Sequence, residues 1–420
     1  MSPTPRAAIA LAVVALLALV LPAPLIVVLA VLVVAAIVFD TLVARGELRL
    51  RRSLPNVLSR GRPAVMSVDA TAASAGRIVV RQPVVPDLRI TPSEGVGRLD
   101  AQVVGRRRGR HDLPPVAARR EGPLGLGSWF FSGGERTEVL VYPDLPAARA
   151  LAVVVRRGRF RQAGLHTRGP LGLGTEFESI RDYLPDDDVR QINWRATARV
   201  GRPMSNQYRV ETDRDVVCLV DTGRLMGAPI LGPDAVPFTR LDAAVDAVTA
   251  VAMVADELGD RCGVVAFDRE VRRRVSPSRS GGDAVLHTIF DLEPRSVDSD
   301  YDLAFRSVGG SKRSLVLVLT DLVDEAAAQS LLHAVPVLAR RHAVVIASVR
   351  DPDLDAAVHT PPRVARDTYS AAVALDVLDA RSRVVVRLRH AGAEVVEAAP
   401  SRLNEACVGA YLRLKDRARL

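Results

Sequence analysis

Lysine is almost missing from this 420-residue chain: only Lys312 and Lys415 occur, so nearly every one of the 57 basic residues is arginine. Aromatic residues are also scarce, at 4%. A groove that tracks a nucleic-acid backbone needs a stripe of cations interleaved with aromatic stacking platforms. Here the arginines are scattered among 48 acids, so the formal charge of +9 does not call for a nucleic-acid partner. The one dense run, Arg106-Arg107-Arg108 with Arg110, reads as an exposed loop or a contact to anionic lipid. Only three cysteines occur, Cys218, Cys262 and Cys407, far apart and each in an apolar pattern. They read as buried thiols, which excludes a disulfide framework or a cysteine metal cluster. No Gly-x-Ser-x-Gly elbow, His-Glu-x-x-His pair, Walker A loop or dinucleotide fingerprint is present. His166, His287, His333 and Ser179 stand without supporting motifs, so no catalytic set emerges.

What is present begins at the N-terminus. From Ala7 to Phe39 there is no charged residue, and Pro22-Ala23-Pro24 interrupts the run. A hairpin would place helices on about Ala7–Leu21 and Leu25–Val43; a single kinked span is the alternative. A crossing of about 30 Å of hydrocarbon needs about 20 helical residues, so the first half is short unless the bilayer thins or the hairpin inserts only in part. Pro-Ala-Pro suits a tight turn, because proline fixes φ and removes a donor. Arg6 precedes the run, and Arg45, Arg49, Arg51 and Arg52 follow it. The positive-inside rule puts both flanks, and everything after Val43, in the cytoplasm.

Three further segments follow. From about Arg45 to Arg168, short alternating runs such as Ala64–Ala70, Arg77–Arg81 and Thr137–Tyr142 are separated by Pro and Gly, predicting an antiparallel β-sandwich. Gly-Pro-Leu-Gly-Leu-Gly occurs twice, at Gly122–Gly127 and Gly169–Gly174; lacking Gly-Lys-Ser/Thr, both copies read as strand-ending turns rather than phosphate loops. From Asp215, apolar strands (Val216–Val220, Cys262–Phe267, Ser314–Leu319, Ala343–Val349, Ala393–Ala398) alternate with helices at Leu241–Leu258, Glu325–Arg340, Tyr369–Leu378 and Leu403–Leu414. That alternation predicts a doubly wound, mainly parallel sheet, whose ligands sit at strand C-terminal ends. Asp221 and Asp321 both lie at such ends.

Between the two lies EFESIRDYLPDDDVRQINWRATAR, Glu176 to Arg199. A turn at Leu184-Pro185-Asp186 leading into a short helix is expected, capped by Asp186, Asp187 or Asp188, with Ile192 and Trp194 buried and Arg181, Arg190 and Arg195 pairing with the carboxylates. The crowding of arginine keeps those carboxylates ionised and unsuited to acid catalysis, so a salt-bridge network bracing a domain junction is the plain reading.

The stretch resembles the membrane-anchored family catalogued as "domain of unknown function 58". Its matching residues are Glu176-Phe177, Ile180-Arg181-Asp182-Tyr183, Asp187-Asp188, Arg190-Gln191-Ile192-Asn193-Trp194 and Ala198-Arg199, with Arg195 in the same signature segment; Asp186 replaces a frequent glycine and Asn193 a common aspartate. The α/β part in turn looks like a von Willebrand factor A-type domain. That resemblance implies a Mg²⁺ site of Asp-x-Ser-x-Ser, a later Thr and a last Asp. Asp221, Ser299 and Asp321 stand at three of those positions, but Gly223 and Leu225 replace both serines, so side-chain capping by the two aspartates competes with a weak Mg²⁺ site. The expected layout is thus α/β and all-β multidomain: a transmembrane hairpin (1–44), a β-sandwich (45–168), the signature segment and linker (169–212), and a von Willebrand factor A-like domain (213–420). The resemblance further implies a non-enzymatic scaffold in the cell membrane, working with a MoxR-type AAA+ ATPase in envelope, assembly or stress roles. An outward-facing, metal-dependent adhesion or ligand-binding module is the alternative.

Overall fold

The computed structural model describes residues 2–72, 76–157, 176–184, 187, 189–209, 214–231, 237–309, 313–322 and 328–416. The chain divides into two compact units, Met1–Tyr142 and Pro143–Leu420.

The first unit opens with a two-residue strand, β1 (Ser2–Pro3), and two apolar helices, α1 (Pro5–Leu17) and α2 (Ala23–Ala44). Thr4 caps α1, and the turn between the helices runs over residues 18–22. Of the Pro-Ala-Pro stretch only Pro22 belongs to it, as the N-cap of α2, while Ala23 and Pro24 already open that helix, where a proline costs no hydrogen bond. Of the two, α2 alone is long and apolar enough to cross a membrane. Strands follow at β2 (Leu48–Ser53), β3 (Val57–Ser59), β4 (Pro63–Ala72), β5 (Ile78–Arg81), β6 (Leu88–Thr91) and β7 (Glu94–Val96). Next come β8 (Arg98–Gly105), β9 (Gly109–Leu113), β10 (Val116–Glu121), β11 (Gly127–Gly133) and β12 (Thr137–Tyr142). They form sheets ordered β2-β4-β8-β6, β1-β11-β10-β5-β7 and β3-β12-β9. Alternate residues (Met66 and Val68; Leu99, Ala101 and Val103; Val116 and Ala118; Val139 and Val141) turn inward from all three into one core.

The second unit starts with α3 (Leu145–Arg156), N-capped by Asp144. Its apolar stripe Ala148, Ala152 and Val155 joins the core of the α/β sheet, so these residues belong with that sheet where the sequence suggested a continued sandwich. A two-stranded hairpin, β13 (Glu176–Asp182) and β14 (Met204–Arg209), encloses the short helix α4 (Trp194–Val200). The sheet strands are β15 (Asp215–Asp221), β18 (Arg261–Phe267), β19 (Val271–Arg279), β20 (Leu315–Leu319), β21 (Ala343–Val349) and β22 (Glu394–Ala398); a small hairpin, β16 (Pro229–Leu231) with β17 (Pro237–Thr239), precedes β18. The order is β19-β18-β15-β20-β21-β22, parallel throughout except for the antiparallel edge strand β19.

The helices are α5 (Arg240–Glu257), α6 (Gly282–Ile289), α7 (Tyr301–Ser307), α8 (Gln329–Ala339), α9 (Pro352–His359), α10 (Ala365–His390) and α11 (Leu403–Asp416). On β15, Val216, Cys218 and Val220 face a core shared with α3, α5, α6 and α11. Val217 and Leu219 face a second core shared with α7, α8 and α10. A strand buried on both faces has no polar alternation, which is why Val216–Val220 reads as an unbroken apolar run. Helix α10 runs well past the expected Tyr369–Leu378, because its second half buries Val384, Val385 and Leu388 despite a surface rich in arginine.

Candidate functional site

The signature segment is built from the β13–β14 register, which pairs Glu176 with Arg209 and Asp182 with Met204. Arg181 points back into the turn and grips Asp187 with two parallel bonds, Nη1 to Oδ2 at 2.8 Å and Nη2 to Oδ1 at 2.6 Å. Asp187 Oδ2 also accepts the Leu184 amide at 2.9 Å, and the Tyr183 hydroxyl donates to the Asp187 carbonyl at 3.2 Å. The Arg181 bonds, then the Leu184 amide, hold the Asp187 carboxyl below the usual carboxylate range.

The chain next makes one 3₁₀ turn, Val189–Gln191, so α4 begins only at Trp194. Its cap is therefore Asn193, not one of the aspartates: Asn193 Oδ1 accepts the Ala196 amide at 3.0 Å. Asn193 Nδ2 donates to Asn206 Oδ1 at 2.8 Å, a bond an ionised aspartate could not donate. Trp194, expected inside, is 68% exposed: it opens a seven-residue helix that buries none of its residues. Ile192 is half-buried, and Arg195 and Arg199 are exposed on α4. Glu176 and Phe177 enter β13 and Arg190 the 3₁₀ turn by their backbones; their side chains, and Asp186 and Asp188, lie outside the described residues.

The second cluster lies at the sheet's strand ends. Asp221 closes β15 and is 1% exposed. Its Oδ1 accepts the Gly223 amide at 2.8 Å and Ser299 Oγ at 2.5 Å; its Oδ2 accepts the Tyr301 hydroxyl at 2.9 Å and Thr320 Oγ1 at 2.7 Å. Four donors satisfy the buried carboxylate without a counter-ion. Burial, then the neighbouring Asp221 charge, pushes the Tyr301 phenol well above its ordinary pKa and keeps it a donor. The glycine at position 223 has a steric cause: a β-carbon there would overlap Ser299 Oγ and crowd Asp221 Oδ1.

Asp321, just beyond β20, is also buried, but its partners are cations. Arg240, the first residue of α5, and Arg381, from α10, both pair with it, Arg381 Nη1 lying 3.4 Å from Oδ1. Ser348 Oγ adds a bond at 3.2 Å. Arg240 reaches on to Asp351 at 3.6 Å, and Arg381 Nη2 to Ser348 Oγ and the Val349 carbonyl at 3.0 Å each and Glu397 at 3.3 Å. The structure thus brings Asp221 and Ser299 together while turning Asp321 to two guanidiniums. That donor set does not suit Mg²⁺: a hard dication needs several free oxygens, and here one carboxylate is filled by hydroxyls and the other by positive charge. Among the described residues no group of three or more His, Cys, Asp or Glu side chains is placed to hold a metal.

Beside Asp221 opens a cleft of about 620 Å³, lined among others by Arg224, Asp298, Ser299, Tyr301 and His333. Arg224 and Asp298 pair across its exposed rim at 2.5 Å, and Gln329 meets His333 at 3.1 Å. Sequence reasoning missed Tyr301, Thr320, Arg240 and Arg381. Arg381 had a visible signal: it shares the i, i+3, i+4, i+7 stripe of Val384, Val385 and Leu388, an arginine on an apolar helix face.

Residues 179–383, a little under half of the chain, match the family described as "Protein of unknown function DUF58". Uncharacterized proteins of Mycobacterium tuberculosis and Mycobacterium bovis are 28% identical over 188 residues, 43% of this chain and 56% of theirs. The chain therefore spans about half the length of the curated relatives it matches. A solved structure, an uncharacterized membrane-spanning protein from Vibrio fischeri, is 13% identical and covers 49% of this chain and 98% of its own, with a TM-score of 0.16.

Proposed function

We propose that this chain is a membrane-anchored, non-enzymatic interaction protein that docks a protein partner at the strand-end cleft beside Asp221. One observation carries the reading. The Asp221 carboxylate is saturated by hydroxyl and amide donors, so it is a fixed structural support, while the exposed Arg224–Asp298 pair and His333 stand at the cleft mouth. An exposed ion pair contributes little to stability and can exchange partners cheaply, which suits a recognition surface. The strand order supports likeness to a von Willebrand factor A-type domain, with the cleft at its usual ligand edge. The partner implied by the resemblance of the signature segment is a MoxR-type AAA+ ATPase. Helix α2 supplies the anchor, and the arginines at positions 6, 45, 49, 51 and 52 favour a cytoplasmic location for both units.

The alternative, an outward-facing metal-dependent adhesion module, is disfavoured by Arg240 and Arg381 at Asp321. The test is affinity capture of the full-length protein from native membranes, with Arg224→Glu and His333→Ala compared. Recovery of an AAA+ ATPase that is lost in Arg224→Glu is the expected result. Capture without any AAA+ protein, or capture indifferent to both substitutions, would sink the proposal.

A further inference from the structure

Both ends of the N-terminal hairpin are fastened to the same loop of the first unit. At the entrance, β1 pairs with β11 (Ser2 with Ser128, Pro3 with Gly127), and Thr4 Oγ1 donates to the Gly125 carbonyl at 2.6 Å. At the exit, the Asp40 carboxylate accepts the amides of Leu124 at 2.8 Å and of Leu126 and Gly127 at 2.7 Å. The loop is the first Gly-Pro-Leu-Gly-Leu-Gly copy. Its glycines are needed for close approach: a β-carbon on Gly122 would strike Asp40, and one on Gly127 would strike Thr41. The Gly-rich turn thus serves as a cradle of amides for a carboxylate at a helix end.

This fastening sets how deep the hairpin can reach. Helix α2 has 22 residues, but Asp40, Thr41 and Ala44 are buried in the unit at 0%, 6% and 0% exposure. Only Ala23–Phe39 is left to enter lipid, about 25 Å of helix at 1.5 Å per residue. The 13 residues of α1 give about 20 Å. The hydrocarbon core alone is about 30 Å, and the headgroups lie beyond it.

The turn is equally telling. No polar side chain of any kind occurs from Ala7 to Phe39, the turn included, and Leu19 and Val20 at its tip are 82% and 83% exposed. A turn at the far headgroups would present polar side chains to water; this one has none to present. The amides of Leu19, Val20 and Leu21 all donate to carbonyls of Leu16 and Leu17, at 3.0–3.2 Å. Pro22 and Pro24 have no amide to satisfy. Internal satisfaction of backbone donors is what hydrocarbon demands. At the base, by contrast, Arg6 and Arg45 are exposed, with the Arg45 guanidinium 5.2 Å above the Trp129 ring, a pairing suited to an anionic headgroup layer.

We infer that the hairpin is re-entrant: α1 and α2 enter the bilayer from the side on which the first unit lies, and their turn ends inside the hydrocarbon without reaching the opposite headgroups. This rests on the membrane anchoring proposed above. The experiment uses full-length protein carrying Val20→Cys at the tip or Ser53→Cys, exposed on β2, as the reference. Cys218, Cys262 and Cys407 are all 0% exposed and stay silent. A membrane-impermeant maleimide is applied to intact cells, to inside-out vesicles and after detergent. Ser53→Cys should react from one face. Val20→Cys should react from neither until detergent dissolves the membrane, and Leu19→Cys should repeat the result. Labelling of the tip from the face opposite Ser53→Cys means a full crossing and overturns the inference; labelling from the same face overturns it too. Release of the unsubstituted protein from membranes by alkaline carbonate would instead defeat the anchoring itself.

Discussion

Gly223 and Ser299 share one small space: Ser299 Oγ reaches Asp221 at 2.5 Å because position 223 carries no β-carbon. Gly223→Ala should therefore destabilise the second unit by about 1–3 kcal/mol, as overpacking does in a tight interior. The double change Gly223→Ala with Ser299→Gly should recover part of that loss. Denaturant midpoints of the wild type and the two variants check it; equal midpoints for wild type and Gly223→Ala would show that the space admits a β-carbon.

Asp321 is compensated by fixed cations, so millimolar Mg²⁺ or Mn²⁺ should leave the thermal midpoint where it is. Binding to the folded state alone would raise it. Arg381→Ala removes a buried partner of Asp321, Ser348 and Glu397 and should cost about 3–5 kcal/mol, measured by urea unfolding. A metal-induced shift in the unsubstituted protein would overturn the assignment.

Trp194→Ala should change stability by no more than about 0.5 kcal/mol, since the ring is 68% exposed. Truncating a core tryptophan would cost about 3–5 kcal/mol. Acrylamide should quench its fluorescence readily in the Trp129→Phe background, where it is the remaining tryptophan.

Tyr301 and Tyr411 are both pushed well above the ordinary phenol pKa, chiefly by burial. Folding favours their neutral form, so the stability they contribute is intact below about pH 10 and falls as pH rises beyond it, where the unfolded chain ionises first. Cys407, raised by burial to about 12, acts in the same direction from about pH 9 upward. Ultraviolet titration should show two phenols ionising only with unfolding, and thiol reagents at pH 8 should find no reactive cysteine in the folded protein.

The α/β layout was legible because strands buried on both faces leave unbroken apolar runs, as at Val216–Val220 and Ala343–Val349. The boundary was not: α3 looks like one more apolar stretch after the sandwich, and only its contacts with α5 assign it to the second unit. At the site, Asp221, Ser299 and Asp321 were readable by position, yet their partners come from distant elements. Tyr301 lies 80 residues from Asp221 and Arg240 lies 81 from Asp321, and no local pattern encodes such pairs. Asp40 is the plainest example. In the sequence it merely ends an apolar run; in the fold it is the carboxylate that Gly122–Gly127 is shaped to receive.

That cradle also imposes an order on synthesis. Thr4 finds its acceptor 121 residues downstream, and Ser2 pairs with Ser128. At translation rates of about 5–20 residues per second, the first residues wait roughly 6–25 s for their partners to be made. For about the last two thirds of that interval, once Ala44 has been made, α1 and α2 form an apolar pair with an open base, before the strand that will clasp them has left the ribosome.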